Sequence, residues 1–517
     1  MTILPVLIIG LLTATDTVSD PPLEISLDDA IQMAVGNNLS IQGAQLDANA
    51  SLQGFNSAWG AFDAVYYINA SNSRTTSAPT PPTLVGGSVV VPSSPATLRD
   101  ITTLSSGLTG TMMTGTQWSF DVTLQKFTSS TVSGTPALLA NATQNLTGVW
   151  TLELTQPLLR GGADDYPITG LQLAKHDAHI AMLSAEEIAN ATLQAVVTSY
   201  WNLVFARQDL GTRELSVTLA SELLDITKRK FDQGLQNRIN VTEVEAELAQ
   251  RREELLTARN TEEAAEDELR KLVLAPDEDA EWERSLQPTT EPEPPRARNL
   301  NLQEAIRTGM MYRPDVAQAR VGVERAEVEL ARAKNEKRSR LDVTGAYSQN
   351  SNQATWNDAL DALDKSSFNG ATFSLAYELP LGNRAAGYNY RRSQIQRQRA
   401  GVTLREAQMN AVGELRVAVR DVELQVARVS ATAETTRLNS EVYEGEKRRL
   451  ENDLSTPFQV RQTQRDLLTA IDAETRSQLD LEVARANLLA AQGRLLYAYG
   501  LERSAPEMSL DDAPPRP

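Results

Sequence analysis

The sequence predicts an α+β membrane protein in which a wall of antiparallel strands continues into long coiled-coil helices, the whole plan occurring twice. Three observations predict it. The stretch Leu152-Glu-Leu-Thr-Gln-Pro-Leu-Leu-Arg-Gly-Gly162 alternates like a strand, stops at a proline and gives way to a helical pattern reaching Phe231. That pattern carries an apolar residue every seventh position, Ala189, Val196, Leu203, Leu210, Val217, Leu224 and Phe231, a coiled-coil seam. The same succession returns at Leu375-Ala-Tyr-Glu-Leu-Pro-Leu-Gly382.

Composition agrees. Of 517 residues, 5% are aromatic and 41% apolar, as in extended helix rather than a compact mixed core. A net charge of −18 argues against nucleic acid, whose phosphates need a basic face. The absence of cysteine excludes disulfides, thiolate metal sites and a lipid-modified cysteine. No apolar run is long enough for a helical span, so a membrane would be crossed by strands. Residues 1–22 hold a signal-like apolar segment, Ile3 to Leu12, although no Lys or Arg precedes Arg74.

Along the chain, residues 23–275 form a first repeat. Leu27, Ala30, Ile31, Ala34, Ile41, Ala44 and Ala48 predict a helix over 25–61. Strands follow at 62–72, 104–112, 116–127 and 146–157, with Ser/Thr-rich loops at 73–103 and 128–144. In the clearest strand, Trp118, Phe120, Val122 and Leu124 alternate with Gln117, Ser119, Asp121, Thr123 and Gln125. Met113-Thr-Gly115 is its hairpin turn. A long helix to Phe231, a break at Gln233–Arg238 and a helix over 239–273 complete the repeat. Residues 276–299 read as an acidic Pro-rich linker with little to bury. The second repeat, 300–500, has Leu300–Ile306 restating Ile25–Ile31, strands at 341–350 and 371–381, a helix over 388–450 and a last helix over 458–499. The tail 501–517 reads as disordered. The repeats match at one offset: Leu224 with Tyr443, Phe231 with Leu450, Leu235 with Leu454, Ile239 with Phe458 and Val241 with Val460.

At about 1.5 Å per residue, the segment 166–232 is on the order of 100 Å long. The helices 25–61 and 239–273 are each about half that, so stacked pairs of short helices match one long one. Such helices must bury their seams against neighbours, and one chain has too few of them to close a tube. Strands with one apolar face, long polar loops on one side and a short turn on the other fit an outer-membrane barrel. A soluble β-sandwich is the rival, but each half has too few strands for two sheets.

Over about 25–500 the chain resembles the outer membrane efflux protein family, the TolC-like channels. The resemblance rests on Leu-x-x-Ala-Ile at Leu27–Ile31 and Leu302–Ile306, on Gln-Pro-Leu-Leu-Arg-Gly at 156–161, and on the doubled layout. It implies a homotrimer: a barrel in the outer membrane, continued by a periplasmic helical tunnel. The partners implied are a periplasmic adaptor (membrane fusion) protein and an inner-membrane pump, besides outer-membrane lipid. The role implied is the exit duct of a tripartite efflux or type I secretion system, passing small toxic compounds or proteins. The alternative is a structural or adhesive coiled-coil envelope protein without transport.

The resemblance also assigns candidate positions. Gly234 and Leu235, with Asp453 and Leu454 in the second half, match the tips where adaptors dock. Asn240, Glu243, Gln459 and Gln462 stand where the family often has aspartates that ring the periplasmic aperture; with amides at three of them, a weaker cation-binding ring is expected. The hairpin over 104–127 exceeds the minimal plan. Inserted in the wall it takes a trimer from about twelve strands to about eighteen; otherwise it folds over the rim. Alternation and the short turn favour insertion.

Glu153 and Glu378 occupy matching places on the wet strand faces and are lumen candidates. His176 and His179, one helical turn apart, lack a third ligand and read as surface histidines rather than a metal site. No phosphate loop, nucleophile–base grouping or cofactor signature stands out, so neither catalysis nor a cofactor is expected.

Overall fold

The computed structural model describes residues 22–80, 83–86, 88–91, 95–133, 138–162, 165–235, 237–275, 282, 284–295, 300–353, 368–452 and 454–501. The chain divides into two compact units, each assembled from both halves of the sequence. One takes in the stretch up to Ala48, Met182–Gln318 and the chain from Arg405; the other takes in Asn49–Ala181 and Ala319–Leu404.

The first unit is helical. Strand β1 (Leu23–Ile25) leads into α1 (Leu27–Asn37), which opens on a capping box. The Ser26 hydroxyl accepts from the Asp29 N–H at 3.1 Å, and the Asp29 carboxylate accepts from the Ser26 N–H at 3.2 Å. The single helix expected over 25–61 is two helices. Asn38 is extended (φ −69°, ψ 121°), and its side-chain oxygen accepts from the Ser40 N–H at 2.9 Å to start α2 (Leu39–Ala58). In the second half α5 (Leu302–Tyr312) gives way to α6 (Pro314–Glu336) for a related reason. Pro314 drives Arg313 out of the helical region (φ −66°, ψ 126°) and suits a first helical turn.

The long helices match expectation closely. They are α3 (Thr169–Asp232), α4 (Arg238–Val273), α7 (Arg384–Glu451) and α8 (Pro457–Ala491). The last helix ends eight residues early, at Ala491 rather than 499: Gly493 (φ 68°) turns the chain into α9 (Leu495–Ala498). A side chain at Gly493 would strike the Tyr312 carbonyl, its Cβ 2.7 Å away. Within the seams, Val196, Leu203 and Leu224 of α3 and Leu415, Val422, Val429, Tyr443 and Leu450 of α7 are buried. Phe231, expected to close the α3 seam, is exposed.

The acidic linker is not inert. Leu286–Pro288 forms β8, a parallel partner of β1 with Leu23 opposite Leu286. Leu286 is fully buried among Ile25, Ile31, Leu193, Tyr200 and Leu269. Its N–H donates to Glu266 at 2.6 Å, and the Thr290 N–H donates to the Tyr200 hydroxyl at 3.0 Å. One apolar residue with its backbone satisfied suffices to dock a segment whose average composition reads as linker. Residues 276–281 and the tail 502–517 lie outside the described residues.

The second unit holds a six-stranded antiparallel sheet in the order β10-β9-β7-β6-β5-β2. Its members are β2 (Val65–Ser77), β5 (Ala96–Thr111), β6 (Gln117–Ser133), β7 (Leu138–Pro157), β9 (Arg340–Gln353) and β10 (Phe368–Glu378). The hairpin β5–β6 lies within the sheet, between β2 and β7. A short ladder, β3 (Thr83–Val85) with β4 (Ser88–Val91), stands apart from it. The loops expected at 73–103 and 128–144 are therefore largely strand. Where both faces are polar the alternation disappears, yet Thr and Ser still satisfy a ladder. Phe62 and Ala61, expected at the strand start and helix end, belong to a 3-10 turn, Trp59–Phe62, with the Trp59 and Phe62 rings 6.2 Å apart.

Candidate functional site

Cross-strand register fixes the two faces of the sheet. Residues opposite one another share a face. Tyr66 lies opposite Leu108, Leu108 opposite Phe120, Phe120 opposite Leu152, and Leu152 opposite Tyr347. Phe373, Leu375 and Tyr377 extend this face across β10. Aromatic contacts knit it together: Phe120 to Trp150 at 6.0 Å and Trp150 to Tyr347 at 5.4 Å. Leu124 and Leu146 are buried within it, but much of the rest stands exposed among the described residues. Ile68 is 62% exposed, Leu154 44% and Phe373 77%. Each such side chain gains about 1.5–3 kcal/mol on leaving water, so a bare face of this extent marks contact with lipid or protein.

The opposite face is polar and internally bonded. The Tyr67 hydroxyl donates to Asp121, and Thr155 and Thr344 share a hydrogen bond of 3.0 Å. Glu153, beside Ser119 and Ala346, and Glu378, beside Arg340, both stand exposed on this face. The strands are long enough to cross a bilayer, β6 having 17 residues where about 9–11 are needed. No described helix is long and apolar enough to do so.

In the helical unit, two turns repeat one geometry. After α3 the Leu235 N–H donates to the Lys230 carbonyl at 2.8 Å and the Gly234 N–H to Phe231 at 2.9 Å. This is a Schellman ending, and Gly234 takes the left-handed φ of 77° that it requires. After α7 the Leu454 N–H donates to the Arg449 carbonyl, also at 2.8 Å. Leu235 and Leu454 are 56% and 68% exposed. Asp453 lies outside the described residues. The next helices start alike: Asn237 caps α4 and Thr456 caps α8, at equivalent positions of the two halves.

Below each turn a shared core holds the four helices together through Leu224, Val241, Tyr443, Leu450 and Val460, five of the residues that matched by register, whereas Phe231, Leu235, Ile239, Leu454 and Phe458 are exposed. Around it the four aperture candidates have separate neighbours. The Asn240 N–H donates to the Asn237 carbonyl at 3.1 Å. Gln459 completes the Thr456 capping box, accepting from the Thr456 N–H at 3.2 Å. Gln462 donates to Asp466 at 3.1 Å. Glu243 accepts from Arg461 at 3.0 Å. Among the described residues no group of three His, Cys, Asp or Glu could hold a metal ion.

Sequence reasoning missed Arg461 and Lys230. Arg461 stacks on Phe458 at 5.8 Å, and its Nε is buried without a partner. Lys230 donates to the Leu450 carbonyl at 2.6 Å from a buried position. A signal existed for Arg461: its counterpart in the first half is Thr242, so it is a charge that breaks the repeat. On α3, burial lowers the pKa of His176 from its ordinary 6.5, opposed by Glu324 at 3.9 Å.

No family model matches the chain, and no curated protein does. Solved structures do. The outer membrane channel CmeC of Campylobacter jejuni is 14% identical, with 91% of this chain covering 86% of that one at a TM-score of 0.63. The outer membrane protein VceC of Vibrio cholerae is 15% identical, with coverage of 90% and 96% and a TM-score of 0.63. The MtrE outer membrane channel of Neisseria gonorrhoeae, in its open state, is 15% identical, with 91% and 89% covered at 0.61.

Proposed function

From the TolC-like fold that the chain shares with these outer membrane channels, we propose that it is a passive exit duct of the outer membrane. One observation carries the proposal: a six-stranded sheet that is apolar on one face, polar on the other and open along both edges. Strands β2 and β10 are exposed along nearly their whole length. Open edges cannot persist in lipid, because unpaired N–H and C=O groups there have no water to bond. Six strands are also too few for a membrane barrel, whose minimum is eight. Three copies, β2 of one pairing with β10 of the next, make a wall of about eighteen strands with Glu153 and Glu378 lining its lumen.

On this reading the helical part is periplasmic, and the turns at Gly234-Leu235 and Leu454 meet an adaptor protein of a tripartite pump or secretion system. Small toxic compounds or proteins pass through. Nothing in the duct reading calls for catalysis. The chain has no cysteine, which makes the test clean. Cysteines placed in turn along Val65–Ser77 and Phe368–Glu378 should cross-link copies into trimers in outer-membrane fractions. A soluble product without intermolecular cross-links favours the coiled-coil envelope protein instead.

A further inference from the structure

In the sheet-bearing unit the chain passes abruptly from exposed apolar side chains to exposed cations. Tyr377, Leu379 and Leu381 are 60%, 55% and 91% exposed. Beyond them Arg384, Arg391 and Arg392 on α7, with Lys334 in the last turn of α6 and Lys337 in the turn just after it, are exposed, and none of the five has an ion-pair partner among the described residues. The segments are neighbours in space. The Asn383 amide donates to the Lys337 carbonyl at 2.8 Å, and the Tyr377 hydroxyl donates to Ser339 at 3.3 Å. Lys337 Nζ lies 5.4 Å from the Tyr390 ring, and the Arg391 guanidinium lies 5.6 Å from Tyr388.

Three carboxylates of α6 are already engaged. Glu327 pairs with Arg397 at 2.8 Å, Glu329 with Arg325 at 2.7 Å and Glu336 with Arg332 at 3.1 Å. Five cations without ion-pair partners, against the single exposed carboxylate of Glu378 beside them, form a local excess of positive charge in a chain of net charge −18. The last turn of α2, which leads into the first strand of the sheet, has no basic residue.

We propose that this basic and aromatic cluster binds the phosphate headgroups of anionic phospholipids in the leaflet that meets the helical end of the barrel. The proposal rests on the outer-membrane reading. Charge selects the occupant: lysine and arginine beside a bilayer are attracted to anionic lipid, and a guanidinium binds phosphate by two parallel hydrogen bonds. The neighbouring chemistry fits a headgroup. Tyr377, Tyr388 and Tyr390 have the amphipathic rings that settle at a membrane interface, and Leu379 and Leu381 reach the adjoining acyl region.

The test uses the purified full chain in detergent, titrated with phosphatidylglycerol and, separately, with phosphatidylcholine, bound lipid being counted by native mass spectrometry. Wild type should retain phosphatidylglycerol about tenfold better, and added salt should erase the difference. The variant Lys334→Gln, Lys337→Gln, Arg384→Gln, Arg391→Gln, Arg392→Gln should lose the preference. A variant with Arg405, Arg416 and Arg420 each changed to Gln should keep it. If the fivefold variant fails to assemble, Arg391→Gln with Arg392→Gln should still lower the preference severalfold. Equal retention of both lipids by wild type, or an unchanged preference in the cluster variants, overturns the proposal. Channel conductance is recorded on the same samples: conducting protein without lipid preference rejects the lipid site alone, whereas non-conducting wild type rejects the duct reading beneath it.

Discussion

Arg461 on α8 reaches Glu243 on α4 at 3.0 Å, joining the two helices that begin just beyond the exposed turns. The pair removes the one carboxylate among the four aperture candidates from the pool that could meet a cation. Arg461→Ala should therefore free Glu243 and strengthen block of single-channel current by divalent cations severalfold. Arg461→Ala with Glu243→Gln should return block to the wild-type level. Dose–response curves with Mg²⁺ check both; equal block in all three proteins would place Glu243 away from the conducting path.

Leu286 shows whether the linker is part of the fold. Its side chain is fully buried, so Leu286→Ala should cost about 2–5 kcal/mol, seen in chemical denaturation. The exposed Leu256 offers the contrast, and Leu256→Ala should fall within about 0.5 kcal/mol of wild type.

His176 makes stability depend on pH. Burial lowers its folded pKa below 6.5, so on acidification the unfolded chain takes up a proton before the folded one does. The stabilising effect of the neutral imidazole is complete above about pH 6.5 and is lost as pH falls from there through the folded pKa. His176→Gln should flatten the thermal midpoint across that window, leaving values above pH 7 nearly unchanged.

The turns should serve partners rather than the fold. Leu235→Glu with Leu454→Glu changes two exposed side chains beyond completed helix endings, so trimer yield and thermal stability should match wild type. Export in cells should drop sharply if an adaptor docks there. Normal drug resistance of the double variant would move the docking surface elsewhere.

Much of this architecture was legible in the residues. Alternation at Trp118–Gln125 and Leu146–Leu154 placed both strands and their apolar faces, and the sevenfold spacing through Leu203 and Tyr443 placed the helices. What escaped depended on single positions or on distance. Asn38 breaks a helix by satisfying backbone locally, which periodicity does not register. Strand ends such as Ser71–Ser77 are polar on both faces and carry no alternation. Leu286 docks by shape against Tyr200, far away in sequence. The Arg461–Glu243 pair and the Lys337–Tyr390 contact join segments far apart in sequence, so neither partner could be read from spacing.

The central claim is that the six-stranded sheet becomes part of a closed, water-filled wall once copies assemble. Purified protein added to a planar lipid bilayer measures that directly. Discrete, long-lived conductance steps are predicted, because the polar face then surrounds an aqueous path. A bilayer that stays silent in the presence of folded, water-soluble monomer would contradict the claim.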